Sequence, residues 1–257
     1  MIKAIFVDFD GTVYSHKANG IPASTIDAIK TLRENGIKVF LCTGRAYPEL
    51  WQFDLSELIL DGMILSNGQL ILDGQGDIIY HNPIRGELKE KMIRMFNEMR
   101  VPLYLGTKDD LVLNFTNDFI VSVQEEINSE MPVVKAYGGE DFYMASAFIG
   151  DETARKEVMA LKEDAEITFW HDGAVDIVPR GVSKALGIDE VLKLFDIKLS
   201  ETMGIGDGEN DIEMFRHCSI SIAMGNSPDY VKEAADYVTD DIDDDGFYKA
   251  LKRYELI

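Results

Sequence analysis

Short apolar runs alternate with helical repeats from the start of the chain. Ile2–Val7 has the pattern of a buried strand. Pro22–Asn35 repeats as an amphipathic helix, with Gly36 as its C-terminal stop. Ile37–Cys42 predicts a second strand, Tyr47–Leu60 a helix and Gly62–Ser66 a third strand. This rhythm predicts an α/β fold with a doubly wound parallel sheet. The style then changes. Gln69–Leu72 and Ile78–Tyr80 flank Asp73-Gly74-Gln75-Gly76, a hairpin signal. Helices are predicted over Glu87–Met99, Phe119–Ile127 and Thr153–Asp164. Strands are predicted over Val101–Thr107, Leu111–Thr116, Val133–Tyr137, Tyr143–Ile149, Ile167–Trp170 and Ala174–Val178. Antiparallel pairs mark this stretch as an α+β module. After Gly181 the first rhythm resumes: helix Val182–Phe195, strand Thr202–Ile205, helix Asp211–Cys218, strand Ile220–Met224, then helices Asp229–Asp236 and Phe247–Tyr254. The expected division is a discontinuous core, residues 1–82 and 180–257, with an inserted domain of residues 83–179.

Composition narrows the function classes. The 257 residues include 46 acidic and 25 basic side chains, a net charge of −21. That charge argues against nucleic acid or an anionic membrane as partner, and a site for an anion would need local cations or a metal. No apolar run approaches the ~18 residues of a membrane span. The first residues lack the layout of a signal peptide. Cys42 and Cys218 are too few for a disulfide framework and have no metal-ligand spacing. The expectation is a soluble, cytoplasmic globular protein. The cluster Asp240, Asp241, Asp243, Asp244 and Asp245 reads as a solvated loop before the last helix.

Four segments carry candidate chemistry, at the ends of predicted core strands or on the helix after the insertion, where open parallel sheets bind ligands. Asp8-Phe9-Asp10-Gly11-Thr12 sends two carboxylates the same way from an extended backbone. So close a pair repels unless a cation sits between them, although a helix cap and a turn would use the same residues. Thr43-Gly44-Arg45 offers a hydroxyl and backbone N–H groups at a strand-to-helix turn, a phosphate cradle or an ordinary loop. Lys184 starts a helix, where it opposes the dipole by a few tenths of a kcal/mol. It reads equally as a surface lysine. Gly204-Ile205-Gly206-Asp207-Gly208-Glu209-Asn210-Asp211 fails the dinucleotide fingerprint, because Glu209 or Asp211 falls at the third glycine. Asp207 and Asp211, four apart, could instead share one face as Mg²⁺ ligands, or cap a turn.

In this order the segments resemble the haloacid dehalogenase-like superfamily, whose four motifs match Asp8-x-Asp10-Gly-Thr, Thr43-Gly-Arg, Lys184, and Gly206-Asp207-Gly208-x-Asn210-Asp211. The insertion, by position and style, resembles the type IIB cap of the Cof-type phosphatases. The resemblance implies a Rossmann-like core and a Mg²⁺-dependent phosphatase for small phosphomonoesters, sugar phosphates among them. It implies Asp8 as nucleophile, forming an aspartyl-phosphate, and Asp10 as acid and base. Thr43, with Gly44 in the same loop, and Lys184 would hold the phosphoryl oxygens. Asp8, Asp207 and the Asp10 carbonyl would hold the metal. Asn210 would support the phosphate side, and Asp211 would orient Lys184 or a metal-bound water.

The resemblance leaves rivals open. Asp10 separates this reading from a carbon–halogen dehalogenase. A phosphomutase or phosphotransferase shares the chemistry, and a non-catalytic phosphate or Mg²⁺ module would use the same acidic pocket. Specificity is expected where cap meets core, from Arg45, Asn67, Trp170, His171 and Asp176. Trp170 also reads as a packing aromatic, His171 as part of a turn, and Asp176, between Val175 and Ile177, as facing solvent. Hinges are expected near Pro83 and Pro179-Arg180-Gly181. The sequence leaves the individual substrate and the oligomeric state open.

Overall fold

A computed structural model describes residues 1–127 and 129–257. Its contacts separate two units. One comprises residues 1–44, 53–81 and 183–257, the other residues 45–52 and 82–182. The first unit holds strands β1 (Ala4–Val7), β2 (Lys38–Cys42), β3 (Gly62–Leu65), β4 (Leu70–Asp73) and β5 (Ile78–His81). The second supplies β6 (Leu103–Thr107), β7 (Leu111–Leu113), β8 (Val133–Val134), β9 (Phe142–Phe148), β10 (Ala165–His171) and β11 (Ala174–Pro179). The first then resumes with β12 (Thr202–Gly206), β13 (Ile220–Ala223) and β14 (Tyr237–Val238). The helices, in chain order, are α1 (Ala23–Glu34), α2 (Gly86–Glu98), α3 (Asp118–Glu126), α4 (Glu152–Met159), α5 (Lys184–Phe195), α6 (Ile212–His217), α7 (Asp229–Lys232) and α8 (Gly246–Arg253).

The first unit's sheet runs β14-β13-β12-β1-β2-β3-β4-β5. It is parallel from β14 to β3, and β4 and β5 close it antiparallel. The central strands are buried along nearly their whole length and are mostly apolar after Lys38 of β2 and Thr202 of β12, as suits a sheet covered on both faces. Phe6, Phe40, Cys42 and Ile64 pack with Ile188, Val191 and Leu192 of α5 and Met214 and Phe215 of α6. Residues between them in sequence, such as Val39 and Leu41, point to the opposite face, and α1, which lies beside α8, packs against β2. The second unit's sheet runs β10-β11-β9-β6-β7-β8. One of its faces buries Leu103, Leu105, Ala145, Ala147, Val175 and Ile177 with Leu88, Met92 and Met95 of α2 and Val158 of α4.

Several expected elements differ. The helix read over Tyr47–Leu60 is a single 3-10 turn, Tyr47–Leu50. The apolar spacing continues past it, but the Asp54 carboxylate accepts both the amide and the hydroxyl of Ser56, a local turn that competes with helix. The strand expected over Val133–Tyr137 shrinks to Val133–Val134, and the two-residue β14 was absent from the sequence reading. Asp243 and Asp245 of the acidic cluster are not merely solvated: they accept the hydroxyls of Ser15 and Ser24 at 2.6 Å each. Among the described residues no helix is long and apolar enough to cross a membrane.

Candidate active site

The C-terminal ends of β1, β2 and β12, with the first turn of α5, bring four aspartates and one lysine together within the first unit. Asp8 leaves β1 with its amide still paired to the Ile205 carbonyl of β12 at 2.9 Å. The Lys184 ammonium lies 2.6 Å from Asp8 Oδ1 and 2.6 Å from Asp211 Oδ1, with no solvent exposure. The surface-lysine alternative is therefore excluded, and the dipole cost at the start of α5 is outweighed by two buried carboxylates. Asp211 uses its second oxygen to accept the amides of Asp207 and Gly208, both at 2.9 Å. It thus fixes the β12 turn and Lys184 at once.

Asp207 stands on the turn after β12. Its oxygens accept from the Thr12 hydroxyl at 3.1 Å and the Asn226 amide at 3.2 Å. Asn226 also donates to the Gly11 carbonyl at 2.9 Å, tying the first and last motifs together. The sequence reading missed Asn226; its signal was a Gly-Asn-Ser-Pro turn straight after another core strand, β13. Glycine is required at 11, where φ is +69° and a Cβ would sit 2.2 Å from Asp207 Oδ2.

Thr43 is buried after β2. Its amide donates to the Ile64 carbonyl at 2.9 Å, and its carbonyl accepts the Asn67 amide at 3.1 Å. A Cβ on Gly44 would lie 3.3 Å from Asn67 Oδ1 and 3.5 Å from Asn210 Nδ2. Asn210 and Asn67 thus flank the Thr43 loop. Ser66 and Asn67 both have positive φ, 49° and 54°, a conformation that costs non-glycine residues about 1 kcal/mol or more each. The Asn67 side-chain oxygen is buried without a partner among the described residues. Asp10 Oδ1 lies 2.7 Å from His16 Nε2.

The charges are unbalanced. Burial raises the Asp8 carboxyl well above the carboxylate range, and Asp211 adds to this while Lys184 opposes it. Burial also pushes Asp207 up to about 6, with Asp211 next in weight. For Lys184, burial pulls the ammonium down, but Asp211 and Asp8 outweigh it and hold it well above its usual value. Asp8, Asp207 and Asp211 each offer an oxygen, all within 4.8 Å of one another. Asp211 already spends both oxygens on Lys184 and the Asp207 and Gly208 amides, so Asp8 and Asp207 are the carboxylates left to meet Mg²⁺, whose preference is for oxygen ligands.

Arg45, Trp170, His171 and Asp176 belong to the second unit. His171 closes the β10–β11 turn: its Nδ1 accepts the Gly173 amide at 3.1 Å and its Nε2 lies 3.3 Å from Glu126. Trp170 is 36% exposed and meets Phe148 edge-on at 5.9 Å. Asp176 does not face open solvent. Tyr104, Ser146 and Asp176 stand in register across β6, β9 and β11. The Ser146 hydroxyl donates to Asp176, and the Tyr104 hydroxyl donates to Glu49 at 2.8 Å. Burial, then Glu49, pushes Asp176 up to about 7, opposed by Ser146, Trp170 and Arg45. Between pH 4 and 7 the folded chain therefore holds a proton that the unfolded chain has released, so this group's contribution to stability falls as pH rises through that window. Asp176→Asn is expected to melt higher than the wild type at pH 8, by about 2 kcal/mol of stability, and the gap should close toward pH 4. Thermal melts across that range check it; a gap independent of pH contradicts it.

Comparison with known proteins places the chain in a family. The family model for haloacid dehalogenase-like hydrolases matches residues 5–251. The Bacillus subtilis (strain 168) protein YkrA is 30% identical over 99% of this chain and 98% of its own. Phosphoglycolate phosphatase 1 of Saccharolobus solfataricus is 30% identical over 93% and 90% of the two chains. Among solved structures, the HAD subclass IIB sugar phosphatase BT4131 superposes with a TM-score of 0.85 at 34% identity, covering 99% of this chain and all of the other.

Proposed function

The chain belongs to the haloacid dehalogenase-like hydrolases and is a phosphatase of that family; from that premise we propose that it hydrolyses small phosphomonoesters, sugar phosphates in particular, through an aspartyl-phosphate on Asp8 with Mg²⁺ bound. The observation that carries the reading is the buried Lys184 ammonium, bonded at 2.6 Å to both Asp8 and Asp211 beside the Thr43 loop. Likeness to a sugar phosphatase along the whole chain supports the substrate class.

In the first step an Asp8 oxygen forms a bond to phosphorus while the bond to the leaving oxygen breaks. Asp10 gives its proton to that oxygen, so an alcohol departs instead of an alkoxide. In the second step water attacks phosphorus, Asp10 takes its proton, and the Asp8–phosphorus bond breaks. Inorganic phosphate leaves, and both aspartates return to their first state. The Thr43 hydroxyl and the Lys184 ammonium hold the phosphoryl oxygens as charge moves between them. Gly44 lets the phosphoryl group approach the backbone, and Asn210 supports that side. Asp211 keeps Lys184 aimed. Asp8, Asp207 and the main-chain carbonyl of Asp10 would hold Mg²⁺, which when bound supplies the positive charge that lets a dianion enter so acidic a site.

The test is phosphate release from a panel of sugar phosphates and other phosphomonoesters, with Mg²⁺ and with EDTA. Removing the metal is expected to lower turnover at least about 100-fold, with recovery on adding Mg²⁺ back. Equal rates in EDTA contradict the metal requirement. Absence of release from every compound, by folded and metal-loaded protein, contradicts the hydrolase reading.

A further inference from the structure

The segment after the first motif is fixed at nearly every residue. The Phe9 carbonyl accepts the amides of Val13 and Tyr14 at 2.9 and 2.8 Å, and Ser15 and Gly20 exchange backbone hydrogen bonds of 2.9 and 3.1 Å. The Tyr14 ring stacks on Phe9 and meets Phe53 edge-on, and its hydroxyl donates to Asn19 at 2.9 Å. The Ser15 hydroxyl donates to Asp243 at 2.6 Å and accepts the Ala18 amide at 3.0 Å. Lys17 lies 3.0 Å from the same Asp243 carboxylate. His16 therefore sits on a pinned backbone between pinned neighbours. Its ring stands edge-on to Tyr14, with centroids 5.2 Å apart, and its Nε2 reaches Asp10 Oδ1 at 2.7 Å.

An exposed histidine–aspartate pair contributes little to stability by itself, and the His16 side chain is 59% exposed. The pair is informative because of which carboxylate is held. We infer that His16 is a positioning residue for Asp10, an inference that rests on Asp10 being the acid and base of the phosphatase reaction. When charged, or neutral with its proton on Nε2, the imidazole donates from Nε2 to Asp10 Oδ1, and this is the form in which it positions the carboxyl group. With Oδ1 engaged as an acceptor, the proton that Asp10 transfers belongs on Oδ2. His16 thereby fixes both the rotation of the carboxyl group and the oxygen that acts. The atoms of the reaction are unchanged: Oδ2 loses its proton to the leaving oxygen in the first step and regains one from water in the second.

The value of a well-placed acid depends on the leaving group. An alkoxide from a sugar phosphate needs a proton, whereas p-nitrophenolate departs without one. The experiment compares kcat/KM, which reports the first irreversible step, for a sugar phosphate and for p-nitrophenyl phosphate. His16→Ala is expected to lose about ten times more activity toward the sugar phosphate than toward the aryl ester. His16→Gln, which can still donate to Oδ1, is expected to recover most of the difference. Asp10→Asn, run beside them, should show a larger discrimination of the same sign. Equal losses on both esters in His16→Ala, or no loss on either, overturn the positioning role while Asp10→Asn keeps its discrimination. If Asp10→Asn shows no discrimination, the acid assignment fails and this inference falls with it.

Discussion

Lys184→Met is expected to lower turnover about 1000-fold and to destabilise the protein by about 3–5 kcal/mol at pH 8. Two effects combine. The ammonium lies 2.6 Å from Asp8, the proposed nucleophile. Without it, charge that develops on the phosphoryl group lacks a donor pre-positioned in a water-poor site. The same ammonium is the buried partner of Asp8 and Asp211, and removing one member of a buried ionic cluster leaves its partners uncompensated. The stability loss carries its own signature. Asp8 is already raised by burial and by Asp211, with Lys184 opposing them. Deleting Lys184 raises it further, so the folded variant takes up protons that the unfolded chain releases. The deficit should therefore shrink as pH falls from 8 toward 5. Denaturant titrations of both proteins at the two pH values check this, and a deficit that stays constant contradicts the account.

Asp8→Asn is expected to abolish phosphatase activity, with a loss of about 10,000-fold or more, and yet to leave the protein at least as stable as the wild type. The nucleophilic oxygen is gone, so only positioning and charge remain to assist direct attack by water. The stability expectation has the opposite sign to that for Lys184 because Asp8 is held at a cost. Its carboxylate is buried with Asp211, Asp207 and Asp10 as like-charged neighbours. Asparagine removes one charge from that cluster, still accepts from Lys184, and leaves the ammonium its Asp211 partner. Melting curves beside activity assays check both parts. A collapse in melting temperature would point to Asp8 as a folding residue instead of a reacting one.

Much of the core was legible because its chemistry lies in short segments at strand ends. Asp8, Thr43 and Asp207 each directly follow a strand whose apolar run is unmistakable, and the parallel sheet brings those ends together. Lys184 was legible as a position but not as an environment. A lysine at a helix start has one appearance in sequence, whether it is solvated or clamped between two carboxylates. Asp176 misled for a related reason. Alternation with Val175 and Ile177 predicts a side chain on the other face of its strand, which is correct. That face carries Tyr104 and Ser146 in register, and nothing local encodes such partners 30 or more residues away. His16 has no motif at all. Its role follows from a loop pinned by Asp243, more than 220 residues downstream, in a cluster whose sequence reads as solvated charge. The residues 47–60 show the converse failure, helical spacing overridden by local side-chain hydrogen bonds at Asp54.

The central claim is that Asp8 carries the phosphoryl group, and the most direct measurement is to trap it there. Asp10→Asn, with slowed hydrolysis of the intermediate, is mixed with p-nitrophenyl phosphate and Mg²⁺, quenched in acid, and reduced with borohydride, which converts an aspartyl-phosphate to homoserine. Peptide mass spectrometry is expected to find homoserine at position 8, in an amount matching a burst of p-nitrophenol of about one per active site. Unmodified Asp8 alongside such a burst, or homoserine at any other aspartate, would contradict the account.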